Sequence, residues 1–341
     1  MDFSADFNPL GPPAGLQAVW EEGLSRLESY PEPTYRRFRE AAAQREGVSP
    51  EQVLPGNGTA DLIHLVSRFR PRSTAAVVVP TFTEFERAVA ADGGTVLPWM
   101  LEEESGFSPE FLRAPGPIPA GGILFLCNPN NPTGTLWPRP PLRRLIEEAE
   151  GAGAVAVVDE AYLDFVEEGE RHSAIEWLND FKRLIILRSM TKAFAVPGLR
   201  VGYALSSISL IEDLKRFQPP WPMNTLAAQV GEHLARVGEG HLALTHELLP
   251  AWRSHLEEGL RALGGIRPYP SHANFLLCRL EDPAWTAGRL KTALARRGIL
   301  IRDCGDFTGL GGGRFFRVAV RREEENAVLL SGFRELLGGS P

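Results

Sequence analysis

The sequence predicts an α/β protein, with a large domain on a mainly parallel sheet followed by a smaller α+β domain. Three observations carry that expectation. From about residue 50 to 205, short apolar runs alternate with longer amphipathic segments. The runs are rich in Val, Ile and Leu and show no polar alternation, as in strands buried on both faces. At 341 residues the chain also exceeds the size at which one hydrophobic core keeps growing, so two packed units are expected.

The elements follow in order. "TAAVVVP" (74 to 80), "GILFLC" (122 to 127), "AVAVVDE" (154 to 160), "RLIILRS" (183 to 189) and "VGYAL" (201 to 205) read as strands. Helical patterns such as "TADLIHLVSRF" and "RPPLRRLIEEAEGAG" lie among them, and strand alternating with helix implies a parallel sheet covered on both faces. After "RFQPPWPMN" the character changes: residues 223 to 263 read as one long amphipathic helix. "ANFLLCRL" (273 to 280) and "RFFRVAVR" (314 to 321) then read as strands that mix faces, with the helix "WTAGRLKTALARRG" between them. The proline-rich junction near 219 to 222 is the expected boundary. The division is therefore a segment 1 to 29 that packs with the small domain or a partner subunit, a large domain 30 to 220 and a small domain 221 to 341.

A formal net charge of −7 argues against a nucleic-acid surface or a polybasic membrane contact. No apolar stretch is long enough to span a bilayer, and the acidic start "MDFSADFNPL" is unlike a secretory signal, so a cytoplasmic protein is expected. Cys127, Cys278 and Cys304 form no CxxC pair, and the histidines show no metal-binding spacing, so neither a disulfide framework nor a metal site is expected.

The carboxyl ends of the strands carry the chemistry. In parallel α/β sheets ligands bind at that edge. There this chain places Asp159 with Tyr162 three residues on, Asn131 within "NPNNPTG", and Ser189 with Lys192. Each has a bland reading as a cap, a tight loop or a solvated charge. Together they ask for one ligand. Gly58, Thr59 and Ala60, in "PGNGTADL", would open a helix with free backbone N–H groups, an anion site to which Ser189 and Arg200 could add hydrogen bonds. A carboxylate such as Asp159 would keep a heteroaromatic nitrogen protonated, and a partly desolvated lysine forms Schiff bases with carbonyls. A phosphate, a pyridinium and an aldehyde together describe pyridoxal 5′-phosphate.

"NPNNPTG", "VVDEAY" and "SMTKAFAVPGLRVGY", in this order, make the chain resemble the fold-type I, aspartate-aminotransferase-like family of pyridoxal-phosphate enzymes over nearly its whole length. Within that family it resembles the branch holding histidinol-phosphate aminotransferases and threonine-phosphate decarboxylases. The resemblance implies Lys192 as the Schiff-base lysine, Asp159 on the pyridine nitrogen, Asn131 with Tyr162 on the phenolic oxygen, and Phe82, in "PTF", stacked on the ring. Tyr30, in "YPEPTY", resembles a tyrosine that reaches the phosphate of the neighbouring subunit, which implies a homodimer with shared active sites. Arg317, in "FFRVAV", matches the arginine for the substrate α-carboxyl group, and Arg302, in "ILIRDCGDF", one that meets a distal phosphate. Asn8, in "FNPLG", has two readings, substrate contact or turn former.

"DFSADFNPLGPP", "PPWPMNTLA", "ILIRDCGDFTGL" and "RVAVRR" look more like the decarboxylase side of the branch, whereas "TKAF" reads like the aminotransferase side. The implied reaction is loss of CO2 from the small phosphorylated amino acid O-phospho-L-threonine, giving 1-aminopropan-2-ol O-phosphate for cobalamin synthesis. Histidinol-phosphate or another aminotransfer is the alternative. A His-Gly-Gly segment upstream of the "DFS" motif, frequent in this branch, is not in the sequence, and phosphate recognition by it is expected to be absent or replaced. Lys192 and Asp159 speak against a cofactor-binding regulator that has lost catalysis.

Overall fold

The computed structural model describes residues 1–337, so the last four residues of the expected small domain lie outside the described residues. Seven strands form the large sheet: β1 (Val53–Gly56), β2 (Thr74–Val79), β3 (Thr95–Met100), β4 (Ile123–Cys127), β5 (Val155–Asp159), β6 (Leu184–Ser189) and β7 (Gly202–Ser206), in the order β1-β7-β6-β5-β4-β2-β3. The run from β3 to β6 is parallel, while β7 is antiparallel to both β6 and β1. A strand with helices on both faces has no polar side. Ile123 and Phe125 enter one core with Leu187 and the helices α3 (Thr59–Phe69), α4 (Glu84–Ala91) and α7 (Ile208–Lys215). Leu124 and Leu126 enter the opposite core with α5 (Arg139–Gly151). That is why the apolar runs show no alternation.

Two strands of this sheet carry too little apolar signal to be read beforehand. β1 is only four residues long, and β3 is an edge strand with Pro98 inside it and only Trp99 buried.

The second sheet is antiparallel, in the order β10-β11-β9-β8, from β8 (Ile266–Pro268), β9 (Phe275–Leu280), β10 (Arg302–Asp303) and β11 (Phe315–Ala319). It packs with α9 (Glu239–Ala262), α10 (Ala287–Ala295) and α11 (Glu323–Leu337) around a core containing Leu256, Leu276, Leu290, Phe316 and Phe333. The single long helix expected over 223 to 263 is two, α8 (Thr225–Val237) and α9, meeting at Gly238. The Phe194 ring lies where a Gly238 side chain would be, 2.6 Å from an added Cβ. α8 packs on α1 (Leu16–Leu24) and α2 (Arg36–Glu46), and its Ala227, Val230 and Leu234 join the large-sheet core.

The N-terminal segment is stitched into the small sheet. Phe3 N–H donates to the Leu300 carbonyl at 2.8 Å, Ala319 N–H donates to the Phe3 carbonyl at 2.8 Å, and the Phe3 ring is fully buried in that core. Among the described residues no helix is long and apolar enough to cross a membrane.

Candidate active site

Sheet register explains why the site residues meet. Cys127 of β4 pairs with Asp159 of β5, and Asp159 pairs with Leu187 of β6, so three strands end together. Gly202 pairs with both Gly56 and Ser189, so β1 and β6 run the same way on either side of β7 and also end together. The segments that follow β1, β4, β5 and β6 surround a cavity of about 230 Å³. Its lining includes Thr59, Ala60, Phe82, Asn131, Asp159, Tyr162, Ser189, Lys192, Arg200, Arg302 and Arg317.

Part of the lining would serve as an anion cradle. Gly58 precedes α3 with φ 80°, in the left-handed region, and provides no side-chain cap for the N–H groups of the first turn. A Cβ on Gly58 would come within 2.6 Å of Arg200 Nη2, so the guanidinium lies against the bare glycine. The Ser189 hydroxyl, 2.8 Å from the Thr191 hydroxyl, caps the four-residue helix α6 (Met190–Ala193) that carries Lys192.

Asp159, also in the lining, is only 3% exposed, and its carboxylate accepts one backbone bond, from Ala161 N–H at 3.0 Å. Burial, reinforced by repulsion from Glu160, pushes its carboxyl up to about 7. A buried acid with so little compensation suits a cationic partner. Phe82 lines one side, its ring edge-on to Phe85 at 5.9 Å.

The lining also holds a network that includes a carboxylate the sequence reading missed. Asp6 forms an ion pair with Lys192, sits 2.7 Å from Arg317 Nη1 and accepts the Tyr162 hydroxyl at 2.6 Å. Arg317 Nη1 also donates to Asn131 Oδ1 at 2.6 Å, and Asn131 Nδ2 lies 3.4 Å from the Tyr162 hydroxyl. Burial and the neighbouring Asp6 push the Tyr162 phenol well above its ordinary value, so it remains a donor. Arg317 Nε is buried without a partner among the described residues.

Arg302 and Arg317 are direct cross-strand partners in β10 and β11. Like charges opposed in this way are destabilising unless each has its own counter-ion. Asp6 offsets Arg317, and Arg302 pairs with Asp306 at 2.7 Å over the Phe307 ring.

Two expected residues lie outside the cavity. Asn8 is fully buried and its amide is committed to protein: it donates to the Ala193 carbonyl and the Thr245 hydroxyl, both at 2.8 Å, while its Oδ1 accepts Leu10 N–H at 3.0 Å. Of the two readings for Asn8, these hydrogen bonds are those of the turn former. Its backbone N–H donates to the Lys192 carbonyl at 2.9 Å, so it is tied to the turn that carries Lys192. Tyr30 is 79% exposed and stacks on Trp221 at 4.5 Å, away from this chain's cavity.

The remaining residues fit pyridoxal 5′-phosphate. The cradle at Gly58 would take its phosphate, Asp159 its protonated ring nitrogen, Phe82 its ring face and Lys192 its aldehyde.

Comparisons with known proteins agree with this fit. The aminotransferase class I and II family matches residues 1–333. The chain is 35% identical to the threonine-phosphate decarboxylase of Salmonella typhimurium, covering 99% of this chain and 92% of that one. It is 32% identical to a histidinol-phosphate aminotransferase of Caldanaerobacter subterraneus, covering 90% and 84%. The crystal structure of the L-threonine-O-3-phosphate decarboxylase of Porphyromonas gingivalis superposes with a TM-score of 0.86 at 25% identity, over 99% of this chain and all of the other.

Proposed function

The chain belongs to the aminotransferase class I and II family, and from that premise we propose that it removes CO2 from O-phospho-L-threonine to give 1-aminopropan-2-ol O-phosphate. Its cofactor is pyridoxal 5′-phosphate. The observation that carries the substrate choice is the opposed pair Arg302 and Arg317 at one cavity. Directly opposed residues hold their Cβ atoms only about 5 Å apart. A short substrate with a carboxylate and a phosphate a few bonds apart supplies one anion for each guanidinium. Histidinol phosphate carries a single anionic group and would bring no second anion to this pair.

When bound, the cofactor supplies an electron sink for the pair left at the substrate Cα. The chain's own residues do the rest. Arg317 orients the carboxylate, and Arg302 holds the phosphate. Lys192 Nζ lies in the same cavity and delivers a proton to Cα once the carboxyl group has left. Asp159 holds a proton on the ring nitrogen, and Asn131, whose amide lies beside the Tyr162 hydroxyl, would stand with Tyr162 at the phenolic oxygen.

An aminotransferase reading draws support from the similar histidinol-phosphate enzymes and from glutamate, whose two carboxylates would meet the same arginines. The loaded enzyme is to be given O-phospho-L-threonine without any keto acid. Sustained CO2 release supports the decarboxylase. Turnover of histidinol phosphate that stops after one cycle and resumes only with 2-oxoglutarate contradicts it.

A second copy completes the proposal. Tyr30 stands exposed beside Trp221, where it is free to reach the cofactor phosphate of a partner subunit.

A further inference from the structure

Asp6 is held on both sides with more care than a surface carboxylate requires. The Ser4 carbonyl accepts Arg317 Nη2 at 3.2 Å, the Asp6 carbonyl accepts Asn274 Nδ2 at 2.9 Å, and Asn8 N–H donates to the Lys192 carbonyl at 2.9 Å. Residues 4 to 8 therefore run from the small sheet to the Lys192 turn, with the Asp6 side chain set between two cations. Oδ1 takes the Lys192 ammonium, and Oδ2 takes the Tyr162 hydroxyl and Arg317 Nη1. All of this happens at a side chain 5% exposed.

We propose that Asp6 is the counter-ion of the Lys192 nitrogen in the loaded protein, a positioning residue that keeps this nitrogen protonated and ties its charge to the anion seat at Arg317. The inference rests on the reading that Lys192 takes the cofactor. Other charges facing the pair do not do the same work. Asp159 makes no hydrogen bond to Lys192, and its carboxyl stays near neutrality through burial. The Tyr162 ring lies 6.0 Å from Nζ with its hydroxyl turned to Asp6. Arg200 and Arg302, also lining the cavity, bond to the Pro197 carbonyl and to Asp306. Burial works against a charge on Asp6, but Arg317 and then Lys192 hold its carboxyl well below the usual carboxylate range, so it is ionised at any working pH.

The chemistry gives that charge a use. Lys192 would hold the cofactor through its aldehyde carbon, its amine giving up one proton to solvent and two to the water that leaves. A proton held on the Lys192 nitrogen would make the bound group a better target for an incoming amine. An opposite charge in contact with it raises its proton affinity by about 1–3 pH units.

The test is a pH titration of visible absorbance in wild type, Asp6→Asn, Asp6→Ser and Asp6→Glu, each loaded with pyridoxal phosphate and checked for fold by circular dichroism. The expected result is a transition lower by at least about one pH unit, tenfold in proton affinity, in the two uncharged variants, and near wild type in Asp6→Glu. Coinciding transitions in wild type and Asp6→Asn would overturn the proposal. So would folded Asn and Ser variants that fail to load, which would make Asp6 part of the cofactor seat itself. Lys192→Ala separates the two levels of the argument. If wild type shows no lysine-dependent band, the lysine reading falls and takes the counter-ion with it; if the band is present but does not move, only the Asp6 inference falls.

Discussion

Replacing Asp159 by Asn is expected to stabilise the cofactor-free protein, and increasingly so as the pH rises. The reason is the folded-state carboxyl at about 7 against an ordinary 3.8, a raise caused by burial and then by Glu160. Between those values the folded chain binds a proton that the unfolded chain does not, so stability falls with rising pH and the penalty is complete above the folded value. A gap of roughly 3 units corresponds to about 4 kcal/mol at 1.36 kcal/mol per unit. The Asn side chain has the same shape and nothing to ionise. The assay is urea unfolding of cofactor-free wild type and Asp159→Asn at several pH values from about 4 to 8, with two spectroscopic probes required to coincide. Other titrating groups are common to both proteins and cancel in the difference. The variant should gain on wild type by up to about 4 kcal/mol across that range, and loading with cofactor should narrow the gap by giving Asp159 a cation to face. A difference that stays flat with pH, or that favours wild type at pH 8, would refute the claim that Asp159 is an uncompensated buried acid.

Three further outcomes follow from the site. Gly58→Ala places a side chain at φ 80° and 2.6 Å from Arg200 Nη2, so cofactor affinity measured by absorbance titration should fall by ~10–100-fold, or about 1.5–3 kcal/mol; wild-type affinity would remove the glycine cradle from the account. Arg317→Lys loses the planar fork that meets Asp6 and Asn131 together, and binding of O-phospho-L-threonine should weaken by ~30-fold or about 2 kcal/mol, with an unchanged Kd as the contrary result. Tyr30→Ala touches an exposed ring only, so it should leave the circular dichroism spectrum intact while lowering cofactor affinity by ~5–10-fold through the partner's site, about 1–1.4 kcal/mol; an effect smaller than twofold would contradict the shared site.

How much of this was legible beforehand depended on whether the signal is local. A strand buried on both faces announces itself as an apolar run, and the residue just past it must stand at the carboxyl edge. Asp159, Asn131, Ser189 and Lys192 could therefore be gathered without coordinates. β1 and β3 could not, because four residues or an exposed proline-containing edge give no such run. The opposed register of Arg302 and Arg317 is a property of strand pairing, which composition does not encode. Asp6 left the weakest trace. It lies in no element, its partners Lys192 and Arg317 are 186 and 311 positions away in the chain, and tertiary contacts of residues 3 to 8 bring it between them. Asn8 shows why motif position alone leaves two readings open: which groups its amide meets, the Ala193 carbonyl, the Thr245 hydroxyl and the Leu10 N–H, is set by packing.

The most direct test of the account is the product formed in heavy water. Loaded enzyme, O-phospho-L-threonine and no keto acid in D2O should yield 1-aminopropan-2-ol O-phosphate carrying one deuterium at the carbon that lost its carboxyl group, seen by NMR, with one CO2 released per product. An intact carboxyl group, a keto acid product and cofactor converted once to its amine form would contradict it.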